Sequence, residues 1–558
     1  MRTSKVWGVM ASLMVAQLLM LGSSLPAAAQ PAPPERPVVA TNLGQVQGVI
    51  RHGVFEFRGI PFAQSVAGAR RWALAEPAQP WSGVRQAQHF GPPCAQAARY
   101  NLTEASDAED CLTLNISRPV SAAPLAGQNL PVLVWIHGGA FVGGSASLYR
   151  LDQLARELNA VVVTLNYRLG VFGFMPHPGF EAATNGGYAL EDQRLGLRWI
   201  QQNIAAFGGD PGNITLAGES AGAASVCMHL LSPEHTQGLF HKAIVQSAAC
   251  AFGLRHVTEW QAFGTRVAQA VGCTQTDPAE AVACLRQQDV QALIAAGDAQ
   301  ADGDLMAFAP VYGNTTLPRQ TLDSLRTGQF VRVPVMLGGT RDELRLYVAY
   351  AVQAGQAITS DNLLEHLQAT YGAHAEAVQA EYAEAIGAWG SAPAALGSLT
   401  TDFRPDIGIN HCLSVETTRL LAAQVPVYFL EFADRGAPSL GVALPAAPDP
   451  GFELGAPHSS ELTYYFPGFS NTSRMDAPDL RPESQRLAQQ MRASWANFVR
   501  TAQPQVDGWP QWPAFADSGM GMRLQPHAAE LFDAAAEYRC DFWRAQYPAS
   551  WGGTSVSP

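Results

Sequence analysis

The sequence predicts an α/β fold with a large, mostly parallel central sheet that is flanked by helices. Short, continuous apolar runs bounded by Gly, Pro or Asn recur along the chain, as expected of strands that are buried on both faces of a parallel sheet. Helical stretches alternate with these runs, which is the pattern of an α/β protein. The runs are Pro131–Ile136, Ala160–Leu165, Asn213–Ala217, Lys242–Gln246, Val333–Leu337 and Val425–Phe432.

The segments around these runs complete the predicted architecture. Val38–Phe57 predicts short strands separated by glycines. Leu190–Phe207 and Gln485–Val499 have apolar residues at helical spacing, and Ile358–Leu396, rich in Ala, Glu and Gln, predicts a helical insertion. The chain contains no internal repeat and no long linker, so we expect a single domain over residues 30–558.

Composition limits the class of partner. Of the 558 residues, 47% are hydrophobic and 15% are charged, which excludes a disordered chain. The formal net charge of −12 argues against binding to nucleic acid, because phosphate binding needs a basic field.

The N-terminus has the pattern of an export signal. Arg2 and Lys5 precede the apolar stretch Val6–Leu25, and Ala27-Ala28-Ala29 supplies small residues for cleavage before Gln30. The alternative is a membrane anchor, since the stretch approaches the length that spans a bilayer. We expect a signal peptide over residues 1–29, a secreted or periplasmic protein, and no stable membrane anchor after cleavage.

Export implies an oxidising compartment in which the eight cysteines can pair. The cysteines are not arranged as two C-x-x-C pairs, so we expect no structural zinc site and no other metal. Cys227 and Cys250 lie in apolar contexts, and there we expect free buried thiols rather than a further bridge. The remaining cysteines are Cys94, Cys111, Cys273, Cys284, Cys412 and Cys540.

Gly218-Glu219-Ser220-Ala221-Gly222 is a G-x-S-x-G pentapeptide between the strand Asn213–Ala217 and an apolar stretch suited to a helix. A strand, a sharp turn and a helix are the context in which this motif presents a nucleophilic serine at the carboxyl end of a sheet. The structural alternative is an ordinary glycine-rich turn. The sequence therefore predicts Ser220 as a nucleophile.

A nucleophilic serine also requires an oxyanion hole, a base and an acid, and further segments of the sequence offer candidates for these. His137-Gly138-Gly139-Ala140-Phe141 follows a predicted strand, where small residues let backbone N–H groups approach a substrate oxygen. His458 lies among small residues in a predicted loop, and Asp342-Glu343 follows another strand. The residues alone leave the base open among 13 histidines and leave the acid open between Asp342 and Glu343.

Several separate motifs, in order, resemble the type-B carboxylesterase family, which includes cholinesterases and carboxylester lipases with the α/β-hydrolase fold. The similarity runs from Thr41 to Trp543. The motifs are Phe57–Ala63, Glu109–Ile116, Asn166–Gly170, Phe207–Pro211 and Gly218–Val226.

The resemblance implies a role for each candidate residue and no cofactor. By analogy, Ser220 is the nucleophile, Glu343 the acid and His458 the base, and Glu219 tunes the electrostatics of the site. The implied oxyanion donors are the N–H groups of Gly139, Ala140 and Ala221. The implied disulfides are Cys94–Cys111, Cys273–Cys284 and Cys412–Cys540.

Departures from the family pattern refine the expected substrate. The family's D-E-G is Asp342-Glu343-Leu344 here, and Ser459 stands where a glycine usually follows the histidine. The loop Ala95–Asp110 has no tryptophan to bind a quaternary ammonium group and is short for a lipase lid. We expect a secreted serine carboxylesterase that acts on small-molecule esters through an acyl-enzyme. The alternatives are a carboxylester lipase and a non-catalytic, cholinesterase-like binding protein.

Overall fold

The computed structural model describes residues 36–98, 104–121, 129–438, 449–469 and 479–552. These residues belong to one compact unit. The expected signal peptide, residues 1–29, lies outside the described residues. Within the described part of the chain, no helix has the length and apolar character needed to cross a bilayer.

The described strands form one large sheet and one small sheet. The large sheet has 11 strands in the order β14-β13-β12-β11-β10-β9-β7-β8-β6-β4-β3, and the small sheet has the order β1-β2-β5. The strands are β1 (Val38–Thr41), β2 (Gly44–Gln47), β3 (Val49–Arg51), β4 (Val54–Pro61), β5 (Val84–Gln86), β6 (Thr113–Pro119), β7 (Leu130–Ile136), β8 (Val161–Leu165), β9 (Gly209–Glu219), β10 (Lys242–Gln246), β11 (Val335–Thr340), β12 (Val427–Phe432), β13 (Gly521–Gln525) and β14 (Ala528–Phe532).

Each of the six apolar runs forms a strand in the parallel part of the large sheet, which runs from β8 to β13. Alternate residues of β7 enter different hydrophobic clusters: Val132 and Val134 pack on one face, and Leu133 and Trp135 pack on the other. Burial on both faces explains the continuous apolar sequence. The predicted α/β class is confirmed. Two antiparallel strands were not predicted: β14 at one edge of the sheet, and β6 between β8 and β4.

Helices cover both faces of the sheet. The predicted helical stretches correspond to α3 with a following 3₁₀ turn, to α11–α14 and to α17. The helices are α1 (Asp152–Leu158), α2 (Gly170–Gly173), α3 (Tyr188–Asn203), α4 (Ala221–Leu230), α5 (Pro233–Thr236), α6 (Val257–Ala270), α7 (Pro278–Leu285), α8 (Val290–Ala301), α9 (Thr321–Arg326), α10 (Arg345–Gln353), α11 (Leu363–Tyr371), α12 (Ala375–Glu381), α13 (Ala383–Ala388), α14 (Ala392–Asp402), α15 (His411–Ala422), α16 (Leu462–Tyr465), α17 (Pro482–Thr501), α18 (Phe515–Ser518), α19 (Ala534–Glu537) and α20 (Cys540–Gln546).

The structure contains four disulfides, and one of them corrects the sequence analysis. The expectation of free thiols at Cys227 and Cys250 is wrong, because these residues are bonded with a Cα–Cα distance of 5.0 Å. Cys227 lies on α4, which packs against β10, and Cys250 follows the end of that strand. An apolar context fits a buried bridge as well as a buried thiol, so composition could not separate them. The other bridges are Cys94–Cys111, Cys273–Cys284 and Cys412–Cys540.

Candidate active site

Ser220 lies in the sharp turn between β9 and α4, with a φ of 56°. This left-handed conformation is costly for a residue with a side chain and is typical of strained functional turns. A Cβ on Gly222 would lie 2.1 Å from the carbonyl oxygen of Ile136, and one on Gly218 would lie 2.5 Å from the carbonyl carbon of Gly222. The glycines of the motif are therefore required by the close approach of the helix to the sheet.

The structure brings Ser220, His458 and Glu343 into one hydrogen-bonded row. Nε2 of His458 lies 2.9 Å from Oγ of Ser220, and Nδ1 of His458 lies 2.6 Å from Oε2 of Glu343. Glu343 comes three residues after the end of β11, and its other oxygen, Oε1, accepts a hydrogen bond from the N–H of Thr340 at 2.8 Å. The row has the order of hydroxyl, imidazole and carboxylate that a Ser-His-acid triad requires.

Asp342, the neighbour that the residues alone left open, has a different set of contacts. Its Oδ2 accepts a hydrogen bond from the N–H of Ala456 at 3.0 Å, and its Oδ1 lies 3.3 Å from Nε of Arg345. Asp342 therefore supports the loop that carries His458, while Glu343 contacts the imidazole itself.

Glu219 lies on the other side of the imidazole. Its Oε1 is 3.2 Å from Nε2 of His458 and accepts a hydrogen bond from the hydroxyl of Ser459 at 2.7 Å. Burial raises the pKa of Glu219, although His458 and Ser459 oppose the rise. Ser459, the departure from the family's glycine, thus gives this carboxylate a hydrogen-bond donor.

The carboxylates around His458 set its protonation. Burial by itself lowers the pKa of His458, but the charges of Glu219 and Glu343 outweigh burial and raise this pKa to about 9. Burial likewise raises the pKa of Glu343, but its contacts with His458 outweigh burial and lower it. The two carboxylates therefore stabilise a positive charge on this imidazole.

Sequence reasoning missed Glu461, which is buried beside this row. Among the described residues, neither of its carboxylate oxygens has a hydrogen-bond partner. Burial and the charges of Glu219 and Glu343 raise its pKa well above the usual range, which favours the protonated, neutral form of this carboxyl group. Its position three residues after His458 was a local signal, but no pattern in the sequence assigns it a role.

The loop after β7 contributes Gly139 and Ala140 to the lining of a cavity that Ser220 also lines. Gly139 and Ala140 have φ values of 115° and 52°, and in the described part of the chain their N–H groups have no hydrogen-bond acceptor. A Cβ on Gly139 would lie 2.2 Å from the carbonyl oxygen of Gly143. Ala221, at the start of α4, adds a third N–H beside Ser220. Burial lowers the pKa of His137 to about 4, and its Nδ1 lies 2.9 Å from the carbonyl oxygen of Gly138.

Two cavities meet at Ser220. The first has a volume of about 720 Å³ and includes His458, Glu219 and the aromatic residues Tyr149 and Phe469 in its lining. The second, of about 660 Å³, has no charged side chain in its lining. Its apolar walls include Met228, Phe252, Leu254, Met306, Ile407 and Ile409. Ala140, Ser220, Leu305 and Tyr347 line both cavities and separate them.

Known proteins resemble the chain over nearly its whole length. A model of the carboxylesterase family matches residues 35–543. Cocaine esterase of Homo sapiens is 33% identical over 543 residues, which cover 92% of this chain and 92% of that protein. Acylcarnitine hydrolase of Mus musculus is 32% identical over 557 residues, covering 93% of this chain and 92% of that protein. The solved structure of a thermophilic PNB esterase is 28% identical, with a TM-score of 0.74, and the match covers 90% of this chain and 99% of that one.

These matches agree with the fold described above. The large, mostly parallel sheet and its covering helices are those of the esterase structures, and the family model spans the segments that contain Ser220, Glu343 and His458. The chain therefore belongs to the carboxylesterase family, has the α/β-hydrolase fold and is a serine carboxylic ester hydrolase.

Proposed function

We propose that the chain is an exported, single-domain carboxylesterase that cleaves esters through a covalent acyl-enzyme on Ser220, with His458 as the base and Glu343 as the orienting acid. The observation that carries the proposal is the hydrogen-bonded row of these three side chains at the junction of two cavities. The oxyanion donors are the N–H groups of Gly139, Ala140 and Ala221.

Acylation begins when Nε2 of His458 takes the proton of Ser220 and Oγ attacks the ester carbonyl carbon. Glu343 keeps the imidazole in the tautomer that leaves Nε2 free, and it stabilises the imidazolium that forms. The negative charge on the carbonyl oxygen is stabilised by the backbone donors, and losing one such donor costs roughly 3 kcal/mol of transition-state stabilisation.

His458 also fixes the orientation of the ester. The imidazolium must protonate the leaving alkoxide, so the alcohol lies in the first cavity, whose lining includes His458. The acyl group then lies in the second cavity, whose uncharged, apolar lining suits a neutral hydrocarbon acid. Water next enters on the side that the alcohol left, and His458 activates it to release the acid from Ser220.

Replacement of the nucleophile tests the proposal most directly. Hydrolysis of p-nitrophenyl butyrate is measured for the wild type and for Ser220→Ala, with both proteins checked for equal thermal unfolding. We expect kcat to fall by roughly 10⁶-fold, as in other serine hydrolases that lose one triad member. Equal rates for the two proteins would refute the catalytic role, and the absence of hydrolysis in both would favour a binding protein.

Two matched substitutions test the choice of acid. Glu343→Gln removes the charge that contacts His458, whereas Asp342→Asn removes the neighbouring charge that supports the loop. We expect the larger loss of kcat, on the order of 10³-fold or more, from Glu343→Gln. A larger loss from Asp342→Asn would reverse the assignment.

Export is supported by the four disulfides and by the N-terminal pattern of the sequence. Disulfides persist in oxidising compartments, and cleavage before Gln30 would remove both basic residues of the signal. N-terminal sequencing of the protein recovered from the medium or the periplasm tests this point. A mature chain that still begins at Met1 would refute it.

A further inference from the structure

We propose that His411 is a positioning residue for the triad carboxylate: it does not reach the ester, but it holds the backbone segment to which Glu343 is hydrogen-bonded. The proposal rests on the catalytic role of Glu343 that is proposed above. It assigns a function to a buried histidine that no motif in the sequence singled out.

A chain of hydrogen bonds joins His411 to the nucleophile. Nε2 of His411 lies 2.9 Å from the carbonyl oxygen of Thr340, and the N–H of the same Thr340 donates to Oε1 of Glu343 at 2.8 Å. From Glu343 the chain continues through His458 to Ser220. Thr340 is thus held by its carbonyl group while its N–H holds the carboxylate.

The protonation of His411 follows from its contacts. A carbonyl oxygen only accepts hydrogen bonds, so Nε2 of His411 must carry the proton. Nδ1 is buried and, among the described residues, has no partner, so a second proton there would be an unsatisfied donor. Burial lowers the pKa of His411 and outweighs the charges of Glu431, Glu343 and Asp342, which raise it; the position of His411 at the start of α15 also disfavours a positive charge. His411 is therefore a neutral, fixed donor.

Packing holds the ring in this orientation. The imidazole lies against the ring of Tyr538, with centroids 4.2 Å apart. The hydroxyl of Tyr538 donates to the carboxylate of Glu431, which in turn forms an ion pair with Arg523. The neighbouring Cys412 is bonded to Cys540, so the C-terminal segment is attached beside the histidine. A merely space-filling residue would not need a donor aimed at Thr340.

The direct test compares His411→Phe, which keeps a ring but removes the donor, with His411→Gln, whose amide places a donor at a similar reach. Rates of p-nitrophenyl butyrate hydrolysis are expressed per site titrated by an organophosphate, so that unfolded protein does not count. We expect His411→Phe to lower kcat roughly 10-fold, the factor expected for one buried hydrogen bond with an orphaned acceptor. KM should stay within about twofold, and His411→Gln should restore kcat to within about threefold.

The pH profile separates positioning from general destabilisation. The charges of Glu219 and Glu343 raise the pKa of His458. If Glu343 is no longer held beside His458, it raises the pKa of His458 less. The acidic limb of kcat/KM in His411→Phe should therefore move to lower pH. In His411→Gln the limb should stay where it is in the wild type. A smaller amount of folded enzyme would lower the number of titrated sites but would not change the pH of the acidic limb.

Three outcomes would overturn the proposal. One is a wild-type kcat in His411→Phe, and another is a lower kcat with an unmoved limb and no recovery in His411→Gln. If His411→Phe gives no titratable sites, His411→Asn replaces it, because the amide of asparagine is one carbon too short to reach Thr340. The third outcome that would overturn the proposal is then an equal kcat in the Asn and Gln variants. A wild-type rate in Glu343→Gln would instead refute the proposed function, whatever the His411 variants show.

Discussion

Glu219→Gln should move the acidic limb of the pH–rate profile to lower pH. The carboxylate of Glu219 lies 3.2 Å from Nε2 of His458 and stabilises the imidazolium, which in the proposed mechanism is the inactive form of the base before acylation. Glutamine removes this charge but keeps an oxygen that can accept the hydrogen bond of Ser459. The pKa of His458 must then fall, so the free base persists at lower pH.

The distance between the two groups gives the scale of the movement. The pKa of His458 is raised from 6.5 to about 9, against the opposing effect of burial. The effects that raise it include the charges of Glu219 and Glu343 and the hydrogen bond that His458 donates to Glu343, and among them Glu219 has the largest effect. An opposite charge within about 4 Å typically shifts a pKa by about 1 pH unit or more, so the limb should move by roughly 1 pH unit, which corresponds to about 1.4 kcal/mol.

The assay is kcat/KM for a neutral ester from pH 5 to 10, followed by titration of the released acid. Asp402→Asn is the matched control, because Asp402 is a buried carboxylate that contacts Tyr382 and is not among the groups that act on His458. Its limb should coincide with that of the wild type. A limb that does not move in Glu219→Gln, or that moves to higher pH, would show that Glu219 is not the charge that raises the pKa of His458.

Three further predictions concern the turn, the second cavity and the corrected disulfide. Gly222→Ala should abolish activity and lower the melting temperature measured by calorimetry, because the new Cβ would lie 2.1 Å from the carbonyl oxygen of Ile136; an active, stable variant would contradict the geometry. Ala309→Phe should fill part of the second cavity and lower kcat/KM at least about 10-fold for octanoyl relative to acetyl esters, whereas an unchanged ratio would place the acyl group elsewhere. Replacement of both Cys227 and Cys250 by Ser should reduce the free energy of unfolding by about 3 kcal/mol for a loop of this length, and the denatured wild type should contain no titratable thiol from this pair before reduction.

The parallel strands could be predicted because burial on both faces leaves a continuous apolar run. Strand β6 has no such run, since it carries Asn115 in its buried interior. The side chain of Asn115 accepts a hydrogen bond from the N–H of Gly59 and donates to Thr164, so its polar atoms are satisfied by other strands. In β13, Arg523 is likewise paired with Glu431 of the neighbouring strand. These partners are distant in sequence, and a local pattern does not contain them.

The site was predictable to the extent that its residues are contiguous. Ser220 and its flanking glycines form one short segment with a conformational requirement of its own, and so do Gly139 and Ala140. His458 is 238 residues from Ser220, and its loop is placed by contacts such as that between Asp342 and Ala456. The residues alone therefore left the acid and the base open, and only the family resemblance selected them.

The charge of each glutamate around His458 is the part that a sequence cannot contain. Glu343 accepts hydrogen bonds from Thr340 and His458, and its pKa is lowered. Glu219 has the hydroxyl of Ser459, while Glu461 has no partner among the described residues, and burial raises the pKa of both.

Three fully ionised carboxylates around one imidazole would hold it as the imidazolium and leave no free base. Hydrogen-bond donors favour the ionised form of a carboxylate, and burial without donors favours its neutral form. The supply of donors therefore favours the charged form of Glu343 beside His458 and the neutral form of Glu461. That supply depends on Thr340 at the end of β11 and on Ser459 in the loop after His458, so identical side chains acquire different roles only after the fold has brought these segments together.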